Sequence, residues 1–185
     1  MTRVINFEIR RICHMKPFLT KDALKTVVSS FVLSRLDYCN SLLVGLTDDG
    51  ISKLQRLQNH AARIVLDKSR FDSSTEILRT LHWLPVKARI EYKIALFCYN
   101  SLKMSAPQYL IDLIHPYTPS RSLRSKDSKL LSVPRTKLKR FGDRSFMKAG
   151  PEVWNSLPLS VRHATSIGLF KKHLKTHLFR KYLCP

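Results

Sequence analysis

The chain has 185 residues, of which 44% are hydrophobic, and its formal net charge at pH 7 is +20. This hydrophobic fraction can fill one modest core or two small ones, which argues against full disorder. The apolar runs are far shorter than the roughly 18 residues of a membrane helix, and charged residues interrupt the N-terminal stretch where a signal peptide needs an apolar segment. We therefore expect an intracellular protein, in the nucleus or cytoplasm, with no membrane partner.

Helical periodicity dominates residues 1–114. Thr20 can cap a first helix, and the stretch 51–66 carries one apolar stripe with basic residues beside it. Pro85 stands where the start of a helix tolerates proline. We predict a helical bundle over residues 1–114. Its predicted core consists of apolar residues at helical spacing: Phe31, Leu54, Leu57, Ala61, Trp83, Ile90, Ile94 and Phe97.

The four cysteines are widely separated in the sequence, at positions 13, 39, 98 and 184. This spacing fits neither a C-x-x-C metal motif nor the disulfide framework of a small secreted domain. We expect four reduced thiols. Cys39 and Cys98 stand among apolar helical residues and are predicted to lie in the core.

The pattern changes at residue 115. Proline, serine and basic residues interrupt the periodicity over residues 115–129, which we interpret as a linker or an exposed basic arm. From Leu130 to Pro158 the apolar pieces are short and are broken by Gly and Pro, which favours small strands or turns. Ser166 can cap a last helix over about residues 166–182. The predicted fold is mainly α: an N-terminal helical bundle, then a small irregular α+β basic region (130–185) that ends in a helix.

Positive charge is concentrated in the last third of the chain. Residues 1–118 hold 17 Lys and Arg against 10 Asp and Glu, residues 119–185 hold 16 against 3, and no carboxylate side chain follows Glu152. Such self-repelling charge is typical of proteins that bind a polyanion, and nucleic acid is the favoured partner. The candidate nucleic-acid-binding residues are the basic ones between 121 and 148: Arg121, Arg124, Lys126, Lys129, Arg135, Lys137, Lys139, Arg140, Arg144 and Lys148.

Two alternatives exist for this basic stretch. Phe141 and Phe146 could stack on unpaired bases, or they could pack in the core while the basic residues form a solvated face. Trp83 and Trp154 could likewise serve as platforms, although their large area favours burial. We expect Asp127, Asp143 and Glu152 to form local ion pairs.

Motifs for catalysis and cofactor binding are absent from the sequence. The five glycines are too dispersed for a phosphate-binding loop, and the sequences G-x-S-x-G and H-E-x-x-H do not occur. His173 and His177 lie one helical turn apart, but with Cys184 they supply only three of the four ligands of a structural zinc site. We therefore predict no catalytic residue, metal, cofactor or small-molecule substrate.

Seven stretches follow one another in a recognisable order: SRLDYCNSLL (34–43), LQRLQNHAARIV (54–65), LHWLPVKARIEYKI (81–94), APQYLIDLI (106–114), YTPSRSLRS (117–125), FGDRSFMKAGPEVWNSLP (141–158) and FKKHLKTHLF (170–179). This succession resembles the C-terminal portion of LINE-class, non-LTR retrotransposon reverse transcriptases of the jockey-like kind. The similarity covers nearly the whole chain.

The resemblance implies a thumb-like helical region over residues 1–114 and a basic C-terminal region, without the palm, fingers or endonuclease of the family. The family's catalytic pair is a Phe/Tyr-x-Asp-Asp motif. Asp48-Asp49 lacks the aromatic residue, and we expect it at a helix N-terminus. A chain that starts downstream of the palm is expected of an element copy shortened at its 5′ end.

Two hypotheses follow for the function. In the first, the chain is a non-catalytic remnant that binds RNA or an RNA–DNA hybrid through backbone phosphates. In the second, it is a host-adopted RNA-binding or protein-interaction module. Both require the same basic surface, so the sequence leaves them open.

Overall fold

The computed structural model of the protein describes residues 1–119, 128–136, 138 and 142–184. Within these residues the chain is mainly helical and contains no β-strand, apart from an isolated antiparallel bridge between Pro116 and Leu131. The predicted mainly α class is confirmed. No helix in the described ranges is long and apolar enough to cross a membrane.

Contacts divide the chain into two compact units. Unit 1 comprises Met1–Asn40, Leu46–Arg89 and Phe179–Pro185, and unit 2 comprises Ser41–Gly45 and Ile90–Leu178. Of the predicted linker over residues 115–129, residues 120–127 lie outside the described part of the chain.

Unit 1 is built around one long helix. Its helices are α1 (Thr2–Met15), α2 (Lys21–Val28), α3 (Ser34–Asp37), α4 (Asp48–Leu66) and α5 (Ser74–Leu81), with a 3-10 turn at Lys16–Phe18 and a π-helical turn at Ser29–Leu33. Thr20 caps α2 as predicted, since its hydroxyl accepts a hydrogen bond from the Ala23 amide at 3.3 Å. Helices α1, α2 and α5 pack against α4. The apolar stripe of α4 is therefore covered by three helices.

Burial is confirmed for six of the eight residues predicted to form the core, which the two units share: Leu54, Leu57, Ala61 and Trp83 lie in unit 1, and Ile90 and Ile94 lie in unit 2. The prediction for Phe31 is wrong: this side chain is 46% exposed. It lies in the π-helical turn, which widens the helical repeat so that Val32 and Leu33 are buried instead. Phe97 is half-buried.

Two glutamines join α4 to the loop that follows α5. Gln58 is fully buried, and its amide nitrogen donates to the carbonyl oxygen of Leu84 at 2.8 Å. Gln55 donates to the Gln58 side chain at 2.9 Å and accepts a hydrogen bond from the Val86 amide at 2.8 Å. A buried amide side chain is stable only with such partners, so these bonds fix the loop on the helix.

A second polar contact of unit 1 joins the end of α3 to Arg89. The Arg89 guanidinium donates to the Asp37 carboxylate at 2.5 Å, and it also donates to the Leu84 carbonyl at 3.0 Å. Cys39 lies just beyond α3 in the left-handed conformation, with φ of +50°, and its side chain is exposed. The prediction that Cys39 is a core residue is therefore wrong, because the helix has already ended there. Cys98 is buried, as predicted.

Unit 2 has an aromatic core. Its helices are α6 (Val86–Leu102, from residue 90 onward), α7 (Gln108–Ile111), α8 (Phe146–Asn155), α9 (Leu159–Arg162) and α10 (Ile167–Leu183, up to residue 178). The Phe170 ring stacks on Tyr99 with centroids 4.3 Å apart, and it stacks on Trp154 at 5.8 Å. Trp154 is 1% exposed, so the packing role predicted as the stronger alternative for this residue is confirmed.

Helix α8 corrects the prediction of strands or turns over Leu130 to Pro158. The helix contains Gly150 and Pro151, which ordinarily end one, since Gly costs about 1 kcal/mol and an interior Pro about 3 kcal/mol. Both residues are buried in unit 2. A Cβ on Gly150 would lie 3.1 Å from the Cys98 Sγ, so glycine permits close approach to α6 at this point. Tertiary packing therefore outweighs the local preference.

Candidate nucleic-acid interface

The structure describes four of the ten candidate residues: Lys129, Arg135, Arg144 and Lys148. The other six lie outside the described residues, and they are Arg121, Arg124, Lys126, Lys137, Lys139 and Arg140. The described four all belong to unit 2. They differ in whether their charge already has a partner in the protein.

Side chains from α8 hold the segment that follows the predicted arm. The Trp154 indole N–H donates to the Lys129 carbonyl at 2.8 Å. The Asn155 side chain accepts from the Leu131 amide and donates to the Leu131 carbonyl, both at 2.9 Å. On the other edge, the Tyr117 amide donates to the Leu130 carbonyl at 2.9 Å. Residues 117 and 130 are therefore joined, and both ends of the arm are attached to unit 2.

Lys129 and Arg135 are exposed cations. Within the described residues, neither side chain has a carboxylate partner. The backbone of Lys129 is left-handed, with φ of +50°, and its carbonyl is fixed by Trp154. Both charges are thus available to an anion in solution.

Arg144 and Lys148 already have partners in unit 2. Arg144 donates to the carbonyl oxygens of Val44 at 3.0 Å and Leu42 at 3.4 Å. Lys148 forms ion pairs with Asp143 and, at 3.8 Å, with Glu152. The hydrogen bond with Asp143 raises the pKa of Lys148. The local pairing predicted for these two carboxylates is confirmed, and Asp127 lies outside the described residues.

Phe146 packs inside unit 2. Its ring meets the Phe97 ring edge to face, with centroids 6.2 Å apart. This is the packing alternative of the sequence analysis, and such an arrangement is favourable for two aromatic rings. Phe141 lies outside the described residues.

Helix α10 presents a second basic surface. Lys171, Lys172 and Lys175 are exposed on the unit 2 part of this helix, and the opposite side buries Phe170, Leu174 and Leu178 completely. The Ser166 hydroxyl accepts a hydrogen bond from the Leu169 amide at 3.3 Å, which confirms the predicted cap. None of the three lysines forms an ion pair with another described residue.

A pocket of about 250 Å³ lies beside residues 129–131 of unit 2. Three cationic residues contribute to its lining, namely Lys103, Lys129 and Arg162, and its apolar wall includes Tyr99, Leu131 and Trp154. Lys103 and Arg162 are not among the residues predicted from sequence, because they are distant in sequence from Lys129 and lie outside the basic stretch 121–148. No periodicity or motif signals that they meet.

The described part of the chain offers no metal centre. No group of three or more His, Cys, Asp or Glu side chains in those ranges is arranged to hold an ion. His173 and Cys184 are exposed side chains.

Comparisons of the chain with protein-family models, with curated proteins and with solved structures found no significant match. The resemblance to LINE-class reverse transcriptases therefore stays a prediction from the seven sequence stretches.

Proposed function

We propose that this chain is a non-catalytic C-terminal region of a LINE-type RNA-directed DNA polymerase that binds RNA or an RNA–DNA hybrid through backbone phosphates. The proposal is based on a set of exposed cations in unit 2 that have no carboxylate partner among the described residues: Lys129, Arg135, Lys171, Lys172 and Lys175. The protein acts in the nucleus or cytoplasm, where its polyanionic partners are found.

The chemistry of these side chains favours phosphate contact over base reading. A lysine ammonium on a flexible stem acts as a point charge, which attracts a phosphate from many directions. Contacts to phosphates position a protein on nucleic acid and carry little sequence information. RNA binding through these cations should therefore depend strongly on salt concentration and weakly on base sequence.

The contacts of Asp48 and Asp49, which form the Asp-Asp pair of this chain, support a non-catalytic role. Asp48 and Asp49 lie in the first turn of α4, where Thr47 caps the helix by accepting from the Gly50 amide at 3.3 Å. Asp49 pairs with Lys53 at 2.6 Å, and the hydrogen bond from Lys53 lowers the pKa of that carboxyl. Carboxylates are favourable at a helix N-terminus, so this pair has a structural explanation.

Two sets of substitutions locate the binding surface. In the arm variant, four residues of the basic stretch from Arg121 to Lys148, which is called the arm in this comparison, are replaced by Gln: Arg135, Lys137, Lys139 and Arg140. In the helix variant, Lys171, Lys172 and Lys175 are replaced by Gln. Filter binding of single-stranded RNA across a salt series should show a slope of log K against log salt that is smaller in the arm variant, by up to about 0.7 per lost phosphate contact.

The helix variant tests the three lysines of α10, which belong to the same set of cations, and its slope should be smaller for the same reason. If the arm variant keeps the wild-type slope while the helix variant loses it, the assignment to the arm is wrong and the surface is α10. If neither variant changes the slope, both assignments are wrong.

A primer-extension assay tests the absence of polymerase activity. A two-metal phosphoryl-transfer site requires converging carboxylates to hold the ions. Purified protein with a primed RNA template and Mg²⁺ or Mn²⁺ should extend no primer. Extension that a chelator abolishes, repeated in an independent preparation, would refute the non-catalytic assignment.

A further inference from the structure

Three cations meet at the pocket of unit 2, although they are far apart in sequence. The Arg162 guanidinium is half-buried, and it donates to the carbonyl oxygens of Leu157 at 3.0 Å and of Ser128. These two bonds use Nε and one terminal nitrogen, and they hold the guanidinium plane in place. The other terminal nitrogen has no acceptor among the described residues.

Lys103 and Lys129 are exposed residues that contribute to the lining of the same pocket. No carboxylate is found among the lining residues that the structure describes. The apolar wall, which includes Tyr99, Leu131 and Trp154, lowers the local dielectric and strengthens attraction to an anion. Like charges brought together in this way repel one another unless an anion lies between them.

The backbone conformation of Lys129 determines which substitution best tests its side chain. A residue with a Cβ is strained at φ of +50°, whereas glycine adopts this conformation readily. The carbonyl of Lys129 is held by Trp154, while its ammonium forms no ion pair within the described residues.

We propose that the pocket formed by Lys103, Lys129 and Arg162 binds one phosphate group of a nucleic acid. This deepens the proposed function, on which it rests, by locating a phosphate contact in unit 2. A fixed guanidinium provides the directional hydrogen bond, and the two ammonium groups complete the charge around the anion. The phosphate is either the terminal group of an RNA or an internal diester.

Lys129→Gly is the decisive variant, because a structural role and a phosphate-binding role predict different results. Glycine relieves the left-handed strain and keeps the carbonyl that Trp154 binds, so the melting temperature should equal or exceed that of the wild type. Phosphate binding should weaken, because the ammonium group is removed. Lys25→Gln is the matched control, since it removes one exposed charge from α2 in unit 1.

The first measurement is the affinity for a fluorescent ten-nucleotide RNA, prepared with a 5′-phosphate and with a 5′-hydroxyl. Lys129→Gly should bind about tenfold more weakly than the wild type, as expected when one charge-assisted hydrogen bond is lost. Lys25→Gln should bind within about twofold. If the terminal phosphate occupies the pocket, the wild type prefers the 5′-phosphorylated RNA and Lys129→Gly does not. If an internal diester occupies the pocket, Lys129→Gly lowers the affinity for both RNAs equally.

The second measurement uses inorganic phosphate alone. Phosphate should raise the melting temperature of the wild type more than chloride at the same ionic strength, and this difference should be smaller in Lys129→Gly. If Lys129→Gly and Lys25→Gln bind RNA with equal affinity, the proposal that the pocket binds phosphate is wrong. In that case a steep salt dependence of wild-type RNA binding would still support the proposed function. If the wild type fails to bind RNA, the proposed function fails, and the phosphate-dependent melting decides the pocket by itself.

Discussion

In unit 2 the Asn155 side chain forms the hydrogen bonds to the Leu131 backbone that a neighbouring β-strand would otherwise form. It exchanges two hydrogen bonds with the backbone of Leu131, one to the amide and one to the carbonyl, as a paired residue does in an antiparallel ladder. On the opposite edge, the amide of Ser132 and the carbonyl of Leu130 bond to residues 115 and 117. One extended segment is thus satisfied on both edges without a sheet.

Replacing Asn155 by Ala should destabilise the protein by about 2–6 kcal/mol. The substitution leaves the N–H and C=O of buried Leu131 without partners, and each unsatisfied group costs about 1–3 kcal/mol. Urea denaturation measures the change in unfolding free energy. Ser156→Ala is the control, because among the described residues that exposed hydroxyl bonds to the nearby Val153 carbonyl and holds no distant segment. Equal stability of the two variants would show that Asn155 does not hold the segment.

The four thiols should differ sharply in reactivity. Cys98 is fully buried, and burial raises its pKa to about 12, while Cys13, Cys39 and Cys184 are exposed. The thiolate is the reactive form and is favoured by high pH. At pH 8 the folded protein should react rapidly at three thiols with a disulfide reagent, and the fourth should react only after denaturation. Four rapid reactions in the folded state would contradict the burial of Cys98.

At the scale of elements, the π-helical turn between α2 and α3 decides which side chains enter the core of unit 1. Val32 is fully buried there, whereas the adjacent Phe31 is 46% exposed. Phe31 also lines an open groove of about 610 Å³ with Val4 and Tyr38. A regular helix would have placed Phe31 on the buried face.

Alanine substitutions at Val32 and Phe31 should differ in how much they lower the stability of the protein. Val32→Ala removes buried methyl groups and should cost roughly 1–3 kcal/mol, whereas Phe31→Ala should change the unfolding free energy by less than about 1 kcal/mol. Thermal or urea unfolding of the two variants measures the difference. A larger loss for Phe31→Ala than for Val32→Ala would indicate a regular helix with Phe31 in the core.

Local sequence signals predicted the elements that depend on local physics. The caps at Thr20 and Ser166 and the apolar stripe of α4 agree with the structure, because capping and periodicity act within a few residues. Helix α8 was not predicted, since Gly150 and Pro151 disfavour a helix locally and are accommodated by packing against distant residues. The π-helical turn has no signal in the apolar pattern.

The candidate interface was predictable in its overall charge but not in its individual residues. Composition identifies a basic region, and Lys129 and Arg135 are exposed there. Composition cannot show that Lys148 is paired with Asp143 or that Arg144 bonds to the Val44 carbonyl, because those partners depend on the fold. The meeting of Lys103 and Arg162 with Lys129 depends on tertiary structure in the same way.

At the scale of the whole molecule, the net charge of +20 shapes both stability and binding. Repulsion among like charges destabilises the folded chain, and a bound polyanion relieves it. A ligand that binds only the folded state also raises its melting temperature by mass action. The same cations therefore link the stability of the protein to its proposed partner.

The salt dependence of wild-type RNA binding distinguishes phosphate contact from base recognition. Lys129, Arg135, Lys171, Lys172 and Lys175 are exposed cations of unit 2, and none has a carboxylate partner among the described residues. If each contacts one phosphate, at about 0.7 per contact on single strands, these five contribute about −3.5 to the slope of log K against log salt, and the wild-type slope should be at least that steep. Shuffling the base sequence should change the affinity by less than about threefold, since phosphates carry no sequence information. A slope near zero, or a large loss of affinity on shuffling, would contradict binding through the phosphate backbone.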